Sequence, residues 1–158
     1  MRSSWLLILG LFIFTACGEQ PLYEKVVSFD GKQWKQDVTP VFKVKIDNVD
    51  VNYNFTLNIR TTTDYKYSNL WIFLKTETPD GQVERKPFQI LIANPDGSWV
   101  GNKTGTVVET PLVFRHRKLP LKGEYTFTVE QGITHSEVDE VLDIGFRVEV
   151  AKSDEETN

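Results

Sequence analysis

The sequence contains only two histidines, the side chain most often used in general base catalysis and in metal binding. They are His116 and His135, and no zinc-type spacing connects them. His116 follows Phe114 by two residues, which favours a partly buried imidazole on the same strand face. His135 lies in a polar segment and is expected at the surface.

One acidic, amide-rich segment matches the first half of a calcium loop. Its first, third and fifth positions are Asp50, Asn52 and Asn54. The match then fails, because Phe55 replaces the glycine of the sixth position and Thr61 replaces the bidentate glutamate of the twelfth. The solvent-exposed face of a strand explains the same residues, so no metal site is predicted.

The sequence also lacks the local signatures of common enzymes. It contains no Gly-x-Ser-x-Gly elbow, no phosphate loop and no dinucleotide fingerprint. Two carboxylates suffice for a glycosidase, and 22 acidic residues leave that alternative open. A hydrolase would need a cleft holding a carboxylate of raised pKa. We expect no enzyme activity and no cofactor apart from a covalent lipid.

That lipid is predicted on Cys17, the only cysteine in the chain. Cys17 directly follows an apolar run over residues 5–16, and Arg2 precedes the run. This pattern resembles a bacterial lipoprotein signal, although Phe14 stands where leucine is usual. Residues 1–16 would be cleaved and Cys17 acylated on its sulfur and its freed amine. Such chains hold a protein on a membrane. The alternative is an ordinary secreted protein.

Length and charge define one small acidic domain. The predicted organisation is a signal peptide (1–16), a lipidated tether (17–22), a folded domain (23–151) and a disordered acidic tail (152–158). The net charge is −4. Loss of Arg2 makes the mature chain more acidic still, so nucleic acid is not an expected partner. Anionic lipid is repelled on average, and attachment should depend on the acyl chains.

Two-residue alternation of apolar and polar side chains predicts strands with one buried face. Predicted inward sets are Val51/Tyr53/Phe55/Leu57/Ile59, Phe42/Val44/Ile46, Tyr125/Phe127/Val129 and Leu142/Ile144/Phe146/Val148/Val150. Residues 69–78 are apolar on both faces and predict a central strand. Tight turns are predicted at Pro79-Asp80-Gly81 and Pro95-Asp96-Gly97, and one helical turn at 136–141.

These elements predict an all-β fold. It is a single antiparallel β-sandwich of about eight or nine strands, jelly-roll or immunoglobulin-like, and a closed antiparallel barrel is the alternative.

Four aromatic side chains are candidates for binding. They are Trp34, Trp99, Tyr65 and Tyr67, which occur in polar or turn-rich segments. Exposed rings at a sandwich edge bind glycans or proteins, whereas closure of the core is the alternative for each ring. Trp71, within the apolar strand, is predicted to be core.

Two charged groups could form separate partner surfaces or simply solvated faces. The basic group contains Arg115, Arg117, Lys118 and Lys122. The acidic group contains Glu137, Asp139, Glu140 and Asp143.

Several segments, in their order along the chain, resemble the gliding-motility lipoprotein family GldH of the Bacteroidota. They are the lipoprotein signal, Thr63-Asp64-Tyr65-Lys66-Tyr67-Ser68-Asn69-Leu70-Trp71, Pro79-Asp80-Gly81, Gly97-Ser98-Trp99-Val100-Gly101, Gly123-Glu124-Tyr125-Thr126-Phe127, Glu130-Gln131 and Asp143-Ile144-Gly145-Phe146-Arg147-Val148-Glu149. The segment 132–135 departs from the family pattern.

The resemblance implies an envelope lipoprotein required for gliding, beside the gliding machinery and the linked type IX secretion apparatus. It implies no catalytic residues. Only Glu19 follows Cys17 closely, which favours the periplasmic side of the outer membrane over surface display. The expected partners are the membrane and other gliding or secretion envelope proteins. A glycan-binding module displayed on the outer membrane is the alternative function.

Overall fold

The computed structural model describes residues 20–152, which form eleven β-strands and one short 3-10 turn. The elements are β1 (Tyr23–Ser28), η1 (Asp30–Lys32), β2 (Gln33–Lys35), β3 (Val41–Ile46), β4 (Asn52–Thr62), β5 (Asn69–Glu77), β6 (Val83–Leu91), β7 (Asn102–Thr104), β8 (Val107–Lys118), β9 (Gly123–Gln131), β10 (Glu137–Asp139) and β11 (Val141–Val150). Across this described part, no helix has the length and apolarity needed to span a bilayer. The predicted signal peptide, Cys17 and tail residues 153–158 lie outside the described residues.

The strands pair as nested antiparallel partners. β5 pairs with β6, β4 with β8, β3 with β9 and β1 with β11, like a long hairpin folded over on itself. This nesting gives one sheet of order β1-β11-β4-β8-β7 and a second of order β3-β9-β5-β6. The arrangement is that of a jelly roll, so the predicted all-β antiparallel sandwich is confirmed. Eight strands have six or more residues, while β2, β7 and β10 have three each.

The core lies between the two sheets and is built by the predicted alternation. Phe42 and Phe127 from one sheet meet Phe55 and Phe146 from the other, with ring centroids 5.0–5.4 Å apart. All four rings are buried. Each buried aromatic or aliphatic side chain contributes about 2 kcal/mol of transfer free energy, so this face-to-face contact holds the sheets together.

The start of β11 departs from strict alternation. Its register against β4 shifts by one residue between Val141 and Asp143. Val141 therefore takes the fully buried position opposite Thr61, while Leu142 is only half-buried. The predicted inward position of Leu142 is wrong because a bulge places an extra residue here.

β5 is internal in its sheet, but only one of its faces is covered. Leu70 and Ile72 point into the core, whereas Trp71 is 43% exposed, so the prediction of a core Trp71 is wrong. The outward Phe73 is covered by a charged side chain instead of a second layer. The Arg85 guanidinium lies 3.5 Å from its ring centroid and forms an ion pair with Glu130 at 2.8 Å.

Both predicted Pro-Asp-Gly turns are confirmed. The amide of Gly81 donates to the carbonyl of Thr78 at 2.9 Å, and that of Gly97 donates to Asn94 at 2.9 Å. Each glycine has φ of 84°, a conformation that a side chain disfavours.

The sandwich has two distinct ends. The end where β1 begins also contains the connections 47–51 and 119–122, and it is called the anchor end because Tyr23 lies six residues after Cys17. The opposite end, called the distal end, contains the connections 29–40, 63–68, 92–106 and 132–140.

Candidate functional site at the distal end

All four aromatic residues predicted to bind lie in distal-end connections. Trp34 is in the segment after β1, Tyr65 and Tyr67 are between β4 and β5, and Trp99 is between β6 and β7. Three separate loops therefore bring them to one end of the molecule. Their exposures differ sharply, however, and decide which of them could contact a ligand.

Trp34 is a core side chain with no exposed surface. Its indole stacks on Phe29 with ring centroids 5.3 Å apart, and its Nε1 donates to the carbonyl oxygen of Val38 at 2.7 Å. The ring closes the distal end of the core. A ligand on the folded protein cannot reach it.

Tyr65 is also buried, at 6% exposure, while Tyr67 beside it is 55% exposed. The Tyr65 hydroxyl donates to the carbonyl oxygen of Asn69 at 3.0 Å, and burial raises its pKa far above the ordinary range. The two rings meet edge to face with centroids 5.8 Å apart. Tyr65 therefore supports the exposed Tyr67 ring from below.

Trp99 is partly buried against the core, after the Gly97 turn, and its backbone pairs with Ala93. Of the four predicted rings, only Tyr67 is exposed. A glycan platform needs a coplanar row of exposed rings, and these four do not form one. Trp71, which the sequence interpretation assigned to the core, is the other large exposed ring near this end. Lys75 and Glu77 lie on the same strand face as Trp71, and they were the signal that could have identified this face as exposed.

A short strand pair presents acidic residues beside Tyr67. β10 pairs with β2, which sets Val138 opposite Trp34, and both side chains are fully buried. The predicted helical turn at 136–141 is therefore wrong, because pairing with the backbone of β2 holds these residues extended. Asp139 accepts a hydrogen bond from Gln33 Nε2 at 2.9 Å. Burial of Val138 leaves Glu137 and Asp139 on the solvent side.

Glu140 follows in a left-handed conformation with φ of 63°. Its carboxylate accepts a hydrogen bond from the Thr62 hydroxyl and lies 3.5 Å from Lys32 Nζ. Asp143 does not belong to this surface, since it is 4% exposed and bonded to Arg60. Of the predicted acidic group, three residues are therefore at the surface, and the fourth, Asp143, is a buried carboxylate paired with Arg60.

Together these residues form a shallow open groove of about 270 Å³. It is lined by Lys66, Tyr67, His135, Ser136, Glu137, Val138, Asp139 and Glu140. We call it the distal groove. It combines one exposed aromatic ring with carboxylates, which suits a basic or aromatic segment of another protein. Among residues 20–152, no three His, Cys, Asp or Glu side chains converge as metal ligands.

The predicted basic group lies at the opposite end. Lys118 and Arg117 pair with Asn52 and Tyr53 at the anchor end, so the two charged groups are separated by the length of the sandwich. His116 is exposed, with φ of 51°, at a shift in the β4–β8 register. The prediction of a partly buried imidazole is wrong because this bulge turns the residue out of the alternation.

The strand pairing makes this protein a small jelly-roll domain with oppositely charged ends. The sequence predicts a lipid anchor before it, at Cys17. The family model described as GldH lipoprotein matches residues 21–148, so this chain belongs to the GldH lipoprotein family.

Two relatives align with the chain over nearly their whole length. The gliding motility lipoprotein GldH homolog of Christiangramia forsetii is 29% identical, over 98% of this chain and 99% of that protein. The gliding motility lipoprotein GldH of Flavobacterium johnsoniae is 25% identical, over 94% of this chain and 97% of that protein.

Likeness to solved structures is weak. A chain of the infectious bursal disease virus Gt strain has a TM-score of 0.33 at 15% identity, over 87% of this chain and 31% of that chain. A family 16 carbohydrate binding module has a TM-score of 0.29 at 4% identity, over 75% of this chain and 72% of the module. Neither likeness carries a functional argument.

Proposed function

We propose that this protein is a non-catalytic, membrane-anchored component of the gliding machinery that binds another envelope protein through the distal groove. The lipid on Cys17 holds it in the outer membrane facing the periplasm, beside the type IX secretion apparatus. Relatives over the full length of the chain are named gliding motility lipoproteins, which supports the motility role.

The observation that carries the proposal is the opposite placement of tether and groove. β1 begins only six residues after Cys17, at one end of the sandwich, whereas the distal groove lies at the other end. Six residues span at most about 20 Å, so the tether keeps the anchor end near the bilayer. The distal groove then faces away from the membrane, where a second protein can reach it.

The side chains that line the distal groove indicate which kind of protein segment would bind there. Tyr67 supplies exposed apolar area on a ring already fixed by Tyr65, and a rigid aromatic side chain is a common energetic centre of an interface. Glu137 and Asp139 supply negative charge beside it. We expect a partner segment that carries arginine or lysine next to an apolar or aromatic residue.

Site-specific crosslinking in living cells tests the proposal. A photoreactive amino acid at position 67 should capture a specific envelope protein. The same amino acid at Lys45, which is exposed at the anchor end, should not capture it. Equal capture from both positions, or capture of no envelope protein from position 67, would contradict the distal groove as the binding surface.

A second experiment separates anchoring from binding. Cys17→Ala should release the protein from the membrane fraction and abolish gliding, whereas Tyr67→Ala with Glu137→Lys should leave it in the membrane and impair gliding alone. If Cys17→Ala left both localisation and gliding intact, the anchoring role would be wrong. If the groove variant glided normally, the binding role would be wrong.

A further inference from the structure

Four exposed basic side chains lie near one another in the sequence at the anchor end. Several basic side chains between residues 20 and 152 form ion pairs, but these four form none in this range. These four, called the basic cluster, are Arg115, Arg117, Lys118 and Lys122. They lie at the end of β8 and in the connection that follows it.

Several acidic residues at the same end are paired locally. Asp47 lies 3.3 Å from Lys45, Glu124 lies 3.0 Å from Lys43 and Glu149 lies 2.5 Å from Arg147. Asp50, Glu77 and Asp80 also lie at this end and form no ion pair among the described residues. The local positive charge of the basic cluster is therefore only partly offset, even though the whole chain is acidic.

Residues 20–22, which follow Cys17 closely in the sequence, lie beside this cluster. Gln20 and Leu22 line the same concavity of about 760 Å³ as Arg115 and His116. Cys17 lies three residues before Gln20, a distance of at most about 10 Å. The screening length at physiological ionic strength is about 8 Å, which is comparable with this upper limit, so charges beside Gln20 are only partly screened from the bilayer surface.

We propose that the basic cluster contacts the anionic phospholipid headgroups of the bilayer that holds Cys17, and thereby fixes the orientation of the sandwich on the membrane. The inference rests on the proposed lipid anchor. It adds a second contact, made by the folded domain itself. The acidic distal groove is repelled by the same surface, so both ends favour one orientation, with the groove pointing away from the lipid.

Fluorescence of the acylated protein in vesicles tests this orientation. Cys17 is the only native cysteine, and acylation blocks its thiol, so one added cysteine is labelled alone. Pro120→Cys places a polarity-sensitive dye at an exposed position of the 119–122 connection at the anchor end, and Thr134→Cys places it at an exposed position of the distal end. The vesicles contain phosphatidylcholine alone or phosphatidylcholine mixed with phosphatidylglycerol.

The dye at position 120 should report membrane contact only when phosphatidylglycerol is present, and the dye at position 134 should report none. Each basic residue near an anionic surface contributes about fivefold to binding. Arg115→Gln with Arg117→Gln should therefore lower the ratio of contacting to free domains by about 25-fold. Lys35→Gln with Lys103→Gln removes the same charge at the distal end and should leave the ratio unchanged.

Equal signals in neutral and anionic vesicles, or equal effects of the two paired variants, would overturn the inference. The mass of the purified protein tests the proposed lipid anchor separately from the basic cluster. A mass of the purified protein without acyl chains would contradict lipidation of Cys17. If the protein is acylated but the fluorescence of the dye at position 120 is the same in neutral and anionic vesicles, only the role of the basic cluster is contradicted.

Discussion

Arg60 and Asp143 are joined by two hydrogen bonds across β4 and β11, with Nε to Oδ1 at 2.8 Å and Nη2 to Oδ2 at 2.5 Å. The side chain of Asp143 is only 6% exposed, whereas that of Arg60 is 45% exposed. The hydrogen bond that Arg60 donates to the Asp143 carboxylate raises the pKa of Arg60 above its ordinary value. The pair sits beside the β11 bulge and fixes the register of the two strands there.

Removal of Arg60 should be costly because it leaves the Asp143 carboxylate buried without a partner. Arg60→Leu is expected to lower the free energy of unfolding by about 3 kcal/mol. Adding Asp143→Asn should recover part of this loss, since a neutral amide is easier to bury. Urea denaturation measures both changes.

The matched control is a fully surface ion pair. Lys86 lies 2.8 Å from Glu84, and both side chains are more than half exposed. Lys86→Leu should change the free energy of unfolding by less than about 1 kcal/mol. Comparable losses for Arg60→Leu and Lys86→Leu would show that burial of Asp143 does not set the cost.

Trp34 and Trp71 should respond very differently to truncation. Trp34 has no exposed surface, so Trp34→Ala should cost about 4 kcal/mol. Trp71→Ala removes a ring that is 43% exposed and should cost about 1 kcal/mol. Chemical denaturation followed by far-UV circular dichroism gives both values. A loss at Trp71 as large as that at Trp34 would contradict the assigned burial.

The strand faces were predictable because alternation is a local property of the chain. The predicted inward positions of β3, β4 and β9 all agree with the structure. The order of strands was not predictable at the same level, since nested pairing of β1 with β11 joins residues more than a hundred positions apart. Alternation says which face of a strand is buried, but not which strand lies beside it.

The candidate site shows the same limit more strongly. Trp34 lies among polar neighbours, and its burial depends on Phe29 and on Val138, which is far away in sequence. Tyr67 and the acidic residues of β10 come from different loops, so no local pattern could show that they share a groove. The bulges that turn His116 outward and bury Val141 are single-residue register shifts, which alternation cannot reveal.

Gly101 should be intolerant of any side chain because the backbone of β8 passes directly over it. A Cβ at this position would lie 2.1 Å from the carbonyl oxygen of Glu109 and 2.7 Å from Thr110 Oγ1. Gly101→Ala is expected to lower the free energy of unfolding by about 3 kcal/mol, since either β8 or the loop that contains Gly101 must move. The measurement is the midpoint of urea unfolding.

Gly105→Ala is the control variant, because its cost comes from backbone conformation and not from steric crowding. Gly105 has φ of 59°, and no atom lies within 4 Å of the added Cβ. The cost should be about 1 kcal/mol, from the left-handed conformation alone. If Gly105→Ala destabilised the protein more than Gly101→Ala, the close approach of β8 to Gly101 would not be the dominant constraint.

Alkaline pH should weaken the distal end through Tyr65. Burial raises the pKa of Tyr65 above the ordinary value of 10.0, so the folded state holds the phenolic proton more tightly than the unfolded state does. The resulting stabilisation is complete below pH 10 and is lost as the pH rises above that value. The free energy of unfolding should therefore fall between about pH 10 and pH 11. Tyr65→Phe should reduce that fall, although Tyr23 and Tyr53, whose pKa values are also raised by burial, should leave a residual slope. An unchanged slope in Tyr65→Phe would mean that the buried hydroxyl bonded to Asn69 does not couple ionisation to folding.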